Sequence, residues 1–145
     1  MTTIKYTTDL NSTIHQDSVR IREEVFVAEQ HVPVELEVDD DEGRCLYIVV
    51  YGDDAEPLAT LRLLPAEYGL HVQRVAVRKA ARGTGLGRVI MDSARDYARA
   101  NGIQQLRLDA QVHATGFYTA LGYSFADRPE FMDAGIPHRE MYLDV

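Results

Sequence analysis

Apolar residues in this chain recur with two different periods, and the switches between them mark its elements. Residues 4–7 form a short apolar–polar run that reads as a first strand. Asn11 or Ser12 then offers a side-chain oxygen to cap a helix. Ile14, Ile21, Val25 and Ala28 fall on one face of that helix as far as about Glu29, with Ser18 interrupting the face. The most apolar stretch of the chain opens at Cys45, so residues 46–51 read as a strand. Residues 58–64 read as its partner across a turn supplied by Gly52, Asp53 and Asp54. Residues 70–77 are another strand, in which Val72, Val75 and Val77 favour extended backbone. From Gly85 the period becomes helical: Leu86, Val89, Ile90, Ala94, Tyr97 and Ala98 share one face, and Asn101 with Gly102 stops it. Residues 106–110 form a strand and residues 115–121 a short helix ended by Gly122. Residues 123–126 and 139–143 are late strands. The order β-α-β-β-β-α-β-α-β-β predicts an α/β fold of the mixed-sheet kind, with helices packed on the sheet.

A length of 145 residues, without an internal repeat or a dividing linker, predicts one domain over residues 1–145. The single cysteine excludes an intrachain disulfide, and a buried strand residue is the ordinary role for Cys45. The longest apolar run is too short to cross a bilayer, and no basic-then-apolar leader opens the sequence, so a cytoplasmic location without membrane contact is expected. The net charge of −8 argues against general nucleic-acid binding.

The distribution of charge says more than its sum. Between Glu67 and Asp92 there is no acidic residue, while Arg74, Arg78, Lys79, Arg82 and Arg88 lie within that gap. A local positive field on an acidic chain points to an anionic ligand. The opposite bias, at residues 35–42, reads as a solvated loop or as a surface attracting cationic substrates.

The basic stretch holds Arg82, Gly83, Thr84, Gly85, Leu86 and Gly87, between the valine-rich strand and the amphipathic helix. Glycines let the backbone approach a ligand, and the first amides of a helix lack intrahelical partners at the positive end of its dipole. Together these make an anion site suited to phosphate. A P-loop needs Lys and then Ser or Thr after its last glycine, whereas Gly87 is followed by Arg88 and Val89. The dinucleotide fingerprint fits poorly in spacing and in place along the chain. A ligand-free strand-to-helix turn is the remaining alternative.

Here the sequence resembles the GNAT (Gcn5-related N-acetyltransferase) family. Arg82, Gly85 and Gly87 match its acyl-CoA signature in register, Gly83 adds the frequent Arg-Gly opening, and residues 74–77 look like its central strand. The resemblance implies that the amides of Gly83, Thr84, Gly85, Leu86 and Gly87 bind the CoA pyrophosphate. It also implies that Val75, Ala76 and Val77 meet the pantetheine arm as an added strand does. A second motif resembles Gln111, Ala114, Phe117 and Tyr118, with Gln111 standing where the family has Asn. The stretches 22–30 and 134–141 look like the ElaA/YjcF-like branch, although Tyr47 stands where many relatives have His.

What this implies is an acetyl-CoA-dependent N-acetyltransferase acting on a primary amine of a small molecule or protein. A non-catalytic acyl-CoA-binding module of the same fold is the alternative. Tyr118 is the expected acid for the departing thiolate: Phe117 and Leu121, four residues apart, form a core pair and turn Tyr118 away from it. An alkylamine is almost wholly protonated at neutral pH, so a proton acceptor is needed, and Glu29 and His138 are the candidates. The remaining histidines and Cys45 show no metal-ligand spacing, so no metal is expected. The oligomeric state is open, with a homodimer favoured by base rate.

Overall fold

The structure, a computed structural model, describes residues 2–33 and 39–145. Its centre is an eight-stranded sheet ordered β1-β2-β3-β4-β5-β8-β6, with β7 also on β8. The strands are β1 (Thr3–Thr7), β2 (Leu46–Tyr51), β3 (Pro57–Ala66), β4 (Gly69–Val77), β5 (Gln105–Gln111), β6 (Ser124–Phe125), β7 (Phe131–Asp133) and β8 (Ile136–Asp144). Every pairing is antiparallel except β4 with β5. The mixed α/β class and the order of the main elements are as expected. The strand at residues 131–133 was not foreseen.

Strand β2 explains how the layers are held. Its side chains alternate, so Ile48 and Val50 pack on one side while Val49 and Tyr51 pack on the other. An unbroken apolar run is the pattern of a strand buried on both faces. Helix α2 (Leu86–Ala100) covers the first side with Leu86, Ile90, Met91, Ala94 and Ala98, and Ile90, Ala94 and Ala98 are fully buried. Helix α1 (Thr13–Arg22) covers the second through Ile21. Burying one such aliphatic side chain contributes about 1.5–3 kcal/mol, so these two stripes fix both helices on the sheet.

Helix α1 starts as the capping pattern requires: the Ser12 Oγ accepts the His15 amide at 3.1 Å. Its later course departs from the expectation. After Arg22 the backbone widens into a π-helical segment, Glu23–Glu29. A π turn holds more residues than an α turn, so the inward face rotates. Val25 stays buried, Phe26 packs beside it, and Ala28, expected on the core face, is exposed. Ser18 belongs to the buried face, because its hydroxyl bonds Thr60 Oγ1 at 2.6 Å. Cys45 is buried, and burial pushes its thiol up to about 11.

Of the acidic run, residues 35–38 lie outside the described residues. Of the rest, Asp40 is exposed, whereas Asp39 and Glu42 are taken up by buried arginines. Glu42 joins Arg22 at 2.7 Å and Arg62 at 2.9 Å, and Asp39 joins Arg62 at 2.8 Å; both arginine side chains are fully buried. His15 is the third partner of Glu42, at 2.8 Å. Tyr47, standing where a histidine was expected, donates its hydroxyl to the Glu42 carbonyl.

Candidate active site

Two features of β4 open the sheet. Strands β4 and β5 pair only over Leu70, His71 and Val72 with Leu106, Arg107 and Leu108, although both run on for several residues. Beyond Val72, β4 stays with β3, while β5 stays with β8 along its whole length. The divergence coincides with a bulge: Thr60 faces Ala76 and Arg62 faces Gln73, so Leu61 alone opposes Arg74 and Val75. Arg74 sits at φ +56°, in the left-handed region. An extra residue bends its strand and sharpens the twist, which swings the end of β4 away from β5. The wedge between them is a cleft of about 770 Å³.

The cleft brings together candidates that are far apart in the sequence. Val75, Ala76, Val77, Arg82, Gln111, Tyr118, Glu29 and His138 all line this cleft. Gly83, Thr84, Gly85, Leu86 and Gly87 follow Arg82 outside the lining. Gly83 and Gly85 take φ +80° and +83°, and a Cβ at either would meet nothing within 4 Å. Positive φ and open space together describe an exposed backbone turn. Gly85 is the N-cap of α2, whose first turn carries no acid, so its dipole is not neutralised locally. Side chains in the turn take other work: Thr84 Oγ1 donates to the Ala81 carbonyl at 2.6 Å, and Leu86 is buried in the core. Only main-chain amides are left to meet a ligand there.

Helix α3 (Thr115–Ala120) reverses one expectation. Phe117 is 40% exposed and Tyr118 is 8% exposed, so Phe117 and Leu121 are not a core pair. The Phe117 ring lies over Gly87, 3.0 Å from where a Cβ there would sit. It covers the start of α2 from outside. Tyr118 takes the inner position between Phe117 and Tyr123, with ring centroids 5.0 and 6.0 Å away. Its hydroxyl bonds no described residue, and burial pushes its pKa up to about 12. The phenol is thus in the core and on the cleft wall at once.

Gln111 does not stand alone. Its amide donates to Gln30 Oε1 at 2.9 Å, and its Oε1 lies 2.6 Å from His113 Nε2. That ties the end of β5 to the end of the π-helical segment, across the cleft. His138, nearly buried, stacks on Phe131 at 5.8 Å, and its Nδ1 lies 2.7 Å from the Ile136 carbonyl. A carbonyl only accepts, so Nδ1 carries the hydrogen, and in the neutral ring Nε2 is the nitrogen with the lone pair.

Glu29 is differently placed. Arg82 grips its carboxylate with both terminal nitrogens, at 2.5 and 2.6 Å. The hydrogen bond from Arg82 holds the Glu29 pKa below its usual value, against a small opposing effect of burial. A carboxylate so held is a weak base. It closes the cleft mouth between the π-helical segment and the glycine turn.

Among the cleft residues missed as site candidates are Gln30, His71 and Asp109. Gln30 lies in a segment whose helical register could not be anticipated. His71 and Asp109 were legible as residues on neighbouring strands, but His71 was weighed only as a metal ligand. Among the described residues no group of His, Cys, Asp and Glu is placed to hold a metal, and no helix is long and apolar enough to cross a membrane.

Residues 10–145 match the acetyltransferase (GNAT) domain family. The chain is 39% identical over 129 residues to YjcF of Bacillus subtilis (strain 168), described as an uncharacterized N-acetyltransferase; the match covers 89% of this chain and 91% of that protein. An acyl-CoA N-acyltransferase from Pseudomonas aeruginosa superposes with a TM-score of 0.84 at 32% identity, covering 98% of this chain and 97% of that one. Escherichia coli ElaA superposes with a TM-score of 0.83 at 25% identity, over 98% of this chain and 99% of its own.

Proposed function

This chain belongs to the GNAT acyltransferase family, on its ElaA/YjcF-like side, and on that premise we propose that it transfers an acetyl group from acetyl-CoA to a primary amine by direct attack on the thioester. The parting of β4 from β5, next to an uncapped and unneutralised helix N-terminus, is the observation that carries this reading. The amides of residues 83–87 hold the pyrophosphate, and Arg82 turns from Glu29 towards it. The pantetheine arm lies along the open edge of β4 at Val75, Ala76 and Val77, and an amide there polarises the thioester carbonyl. Gln111, tied to Gln30, holds the floor of the cleft.

The amine enters from the side of β5 and β8. The ammonium first gives one proton to water; its nitrogen then bonds the carbonyl carbon, the carbon–sulfur bond breaks with the sulfur leaving as thiolate, and the second proton lost by nitrogen passes to His138 Nε2. Tyr118 faces the departing sulfur. A thiol titrates near about 8.5, while the Tyr118 phenol sits at about 12, so full proton transfer from Tyr118 is uphill. The phenol stabilises the thiolate as a hydrogen-bond donor that stays protonated throughout the working pH range.

Titration calorimetry with acetyl-CoA, followed by thiol-release assays across a broad amine panel, tests the reading. Binding together with amine-dependent release is expected. Absence of acetyl-CoA binding to the folded protein overturns it. Binding without release by any amine replaces it with a non-catalytic acyl-CoA module.

A further inference from the structure

On the reading of the cleft as an amine acetyltransferase site, one carboxylate in it has no assigned work. Asp109 lines the cleft on β5, at the level where β4 leaves. One of its oxygens, Oδ1, is buried without a hydrogen-bond partner among the described residues. The other lies 3.4 Å from His71 Nε2, and the side chain is 30% exposed. An unpartnered buried carboxylate oxygen is costly, and such exceptions call for a functional explanation.

The charges around it sharpen the point. Across the ladder Asp109 faces Glu140, a second carboxylate on the same side of the sheet. Glu140 is already matched, by Arg107 at 3.2 Å and Arg128 at 3.6 Å. Of the other carboxylates lining the cleft, Asp39 is matched by Arg62 and Arg74 and Glu29 by Arg82, while Asp133 is exposed to solvent. Among the described residues, Asp109 has only the His71 ring within ion-pair distance.

His71 is itself held. Its Nδ1 meets the Tyr68 hydroxyl. Burial, with the charges of Glu140 and Asp109, pushes the Tyr68 phenol up to about 12, so it keeps its proton and has one to donate. In the tautomer that accepts it at Nδ1, the ring hydrogen is on Nε2, the nitrogen 3.4 Å from Asp109. Tyr68 is braced in turn by the Arg107 guanidinium, 5.1 Å from its ring centroid. Tyr68, His71 and Asp109 form a file that aims a carboxylate into the cleft.

We propose that Asp109 is the subsite for the positive charge of the acceptor, which is an alkylammonium or polyamine-like cation, and that His71 and Tyr68 are its positioning residues. Asp109 and Gln111 share one face of β5, and His138 is the cross-strand partner of Gln111. The cation thus docks two residues along the strand from the group that accepts its proton.

The test uses the full chain saturated with coenzyme A, titrated by calorimetry at pH 7 with n-butylamine, spermidine and the uncharged n-butanol. Wild-type protein is expected to bind at least one amine and not the alcohol. Asp109→Asn, nearly isosteric, is expected to weaken the amine at least tenfold while the Kd for coenzyme A stays within twofold. The ring ¹⁵N shifts of His71 are expected to report the Nε2-protonated tautomer in wild type and a shift towards the mixture in Tyr68→Phe. The proposal is overturned if wild-type protein holding coenzyme A binds neither amine, or binds butanol equally. It is overturned too if Asp109→Asn keeps amine affinity or loses coenzyme A along with it. Failure of coenzyme A to bind wild type, seen in the first titration, sinks the transferase reading as well.

Discussion

At the scale of single residues, two side chains changed meaning once packing was known. Phe117 and Tyr118 are neighbours on a short helix, and spacing alone made Phe117 the core residue. The inner place goes to Tyr118, because Phe117 is needed outside as a lid over Gly87. Periodicity cannot tell which of two adjacent aromatic residues turns inward on a helix of one or two turns. The cleft position of Tyr118 survives the exchange, and it gives a clear expectation. Tyr118→Phe keeps the ring in its slot and removes only the donor, so kcat should fall by about 10²-fold, the low end for losing one preorganised donor to a developing anion. The Kd for acetyl-CoA should be unchanged; equal turnover of the two proteins removes Tyr118 from the mechanism. Glu29 changed meaning in the other direction. Its pairing with Arg82 is exposed, and such pairs contribute about 0.2–1 kcal/mol. Glu29→Gln frees Arg82 for phosphate and should tighten acetyl-CoA by no more than about fivefold, with kcat held within about threefold. A large fall in kcat in steady-state assays would return Glu29 to the role of base.

At the scale of elements, the sequence pattern carried the glycine turn almost completely. The strand before it, the amphipathic helix after it and the absence of acids around it were all legible, because each depends on local chemistry. The π-helical segment was not. Widening a turn has no composition signal of its own; Glu23–Glu29 reads as ordinary helix, and only the displaced faces of Phe26 and Ala28 reveal it. The short strand at Phe131–Asp133 was missed for a similar reason, since its three residues pair with β8 through tertiary placement. The turn supports a prediction that separates conformation from space. Gly85→Ala adds a methyl where nothing lies within 4 Å, so no clash follows. The cost comes from φ +83°, about 1–2 kcal/mol for a residue with a Cβ. Urea denaturation should show that loss. Acetyl-CoA binding should weaken as well, because relief of the strain moves the amides of the turn. A variant as stable as wild type would mean that the turn does not need its left-handed glycine.

At the scale of the whole molecule, the sheet behaves as two halves, β1 to β4 and β5 with β8, which share three register pairs before they diverge. The element order was readable; the splaying was not, because it rests on a bulge at Arg74 that no residue type announces. What steadies the first half next to the cleft is the cluster of Arg22, Arg62, Asp39 and Glu42, and its charge gives the fold a defined acid limit. Burial pushes the Glu42 carboxyl up, but hydrogen bonds from Arg22 and His15 and the charges of Arg22 and Arg62 outweigh it and hold the pKa at about 2, against 4.5 when unperturbed. Asp39 is lowered as well, first by its hydrogen bond from Arg62. A carboxyl whose folded pKa is depressed binds protons more readily in the unfolded chain. Its stabilising contribution is therefore complete above the unfolded value and drains away as pH falls from 4.5 towards about 2. Glu42→Gln removes that dependence and leaves two buried guanidinium groups short of a partner, a change that typically costs about 3–5 kcal/mol. Urea midpoints measured from pH 7 down to pH 3 should therefore show a wide gap between wild type and variant at neutrality. The gap should narrow steadily once the pH drops below the unfolded carboxyl value, because only the wild type still has that contribution to lose. A gap of constant width across the series would show that Glu42 is not the anion on which Arg22 and Arg62 depend.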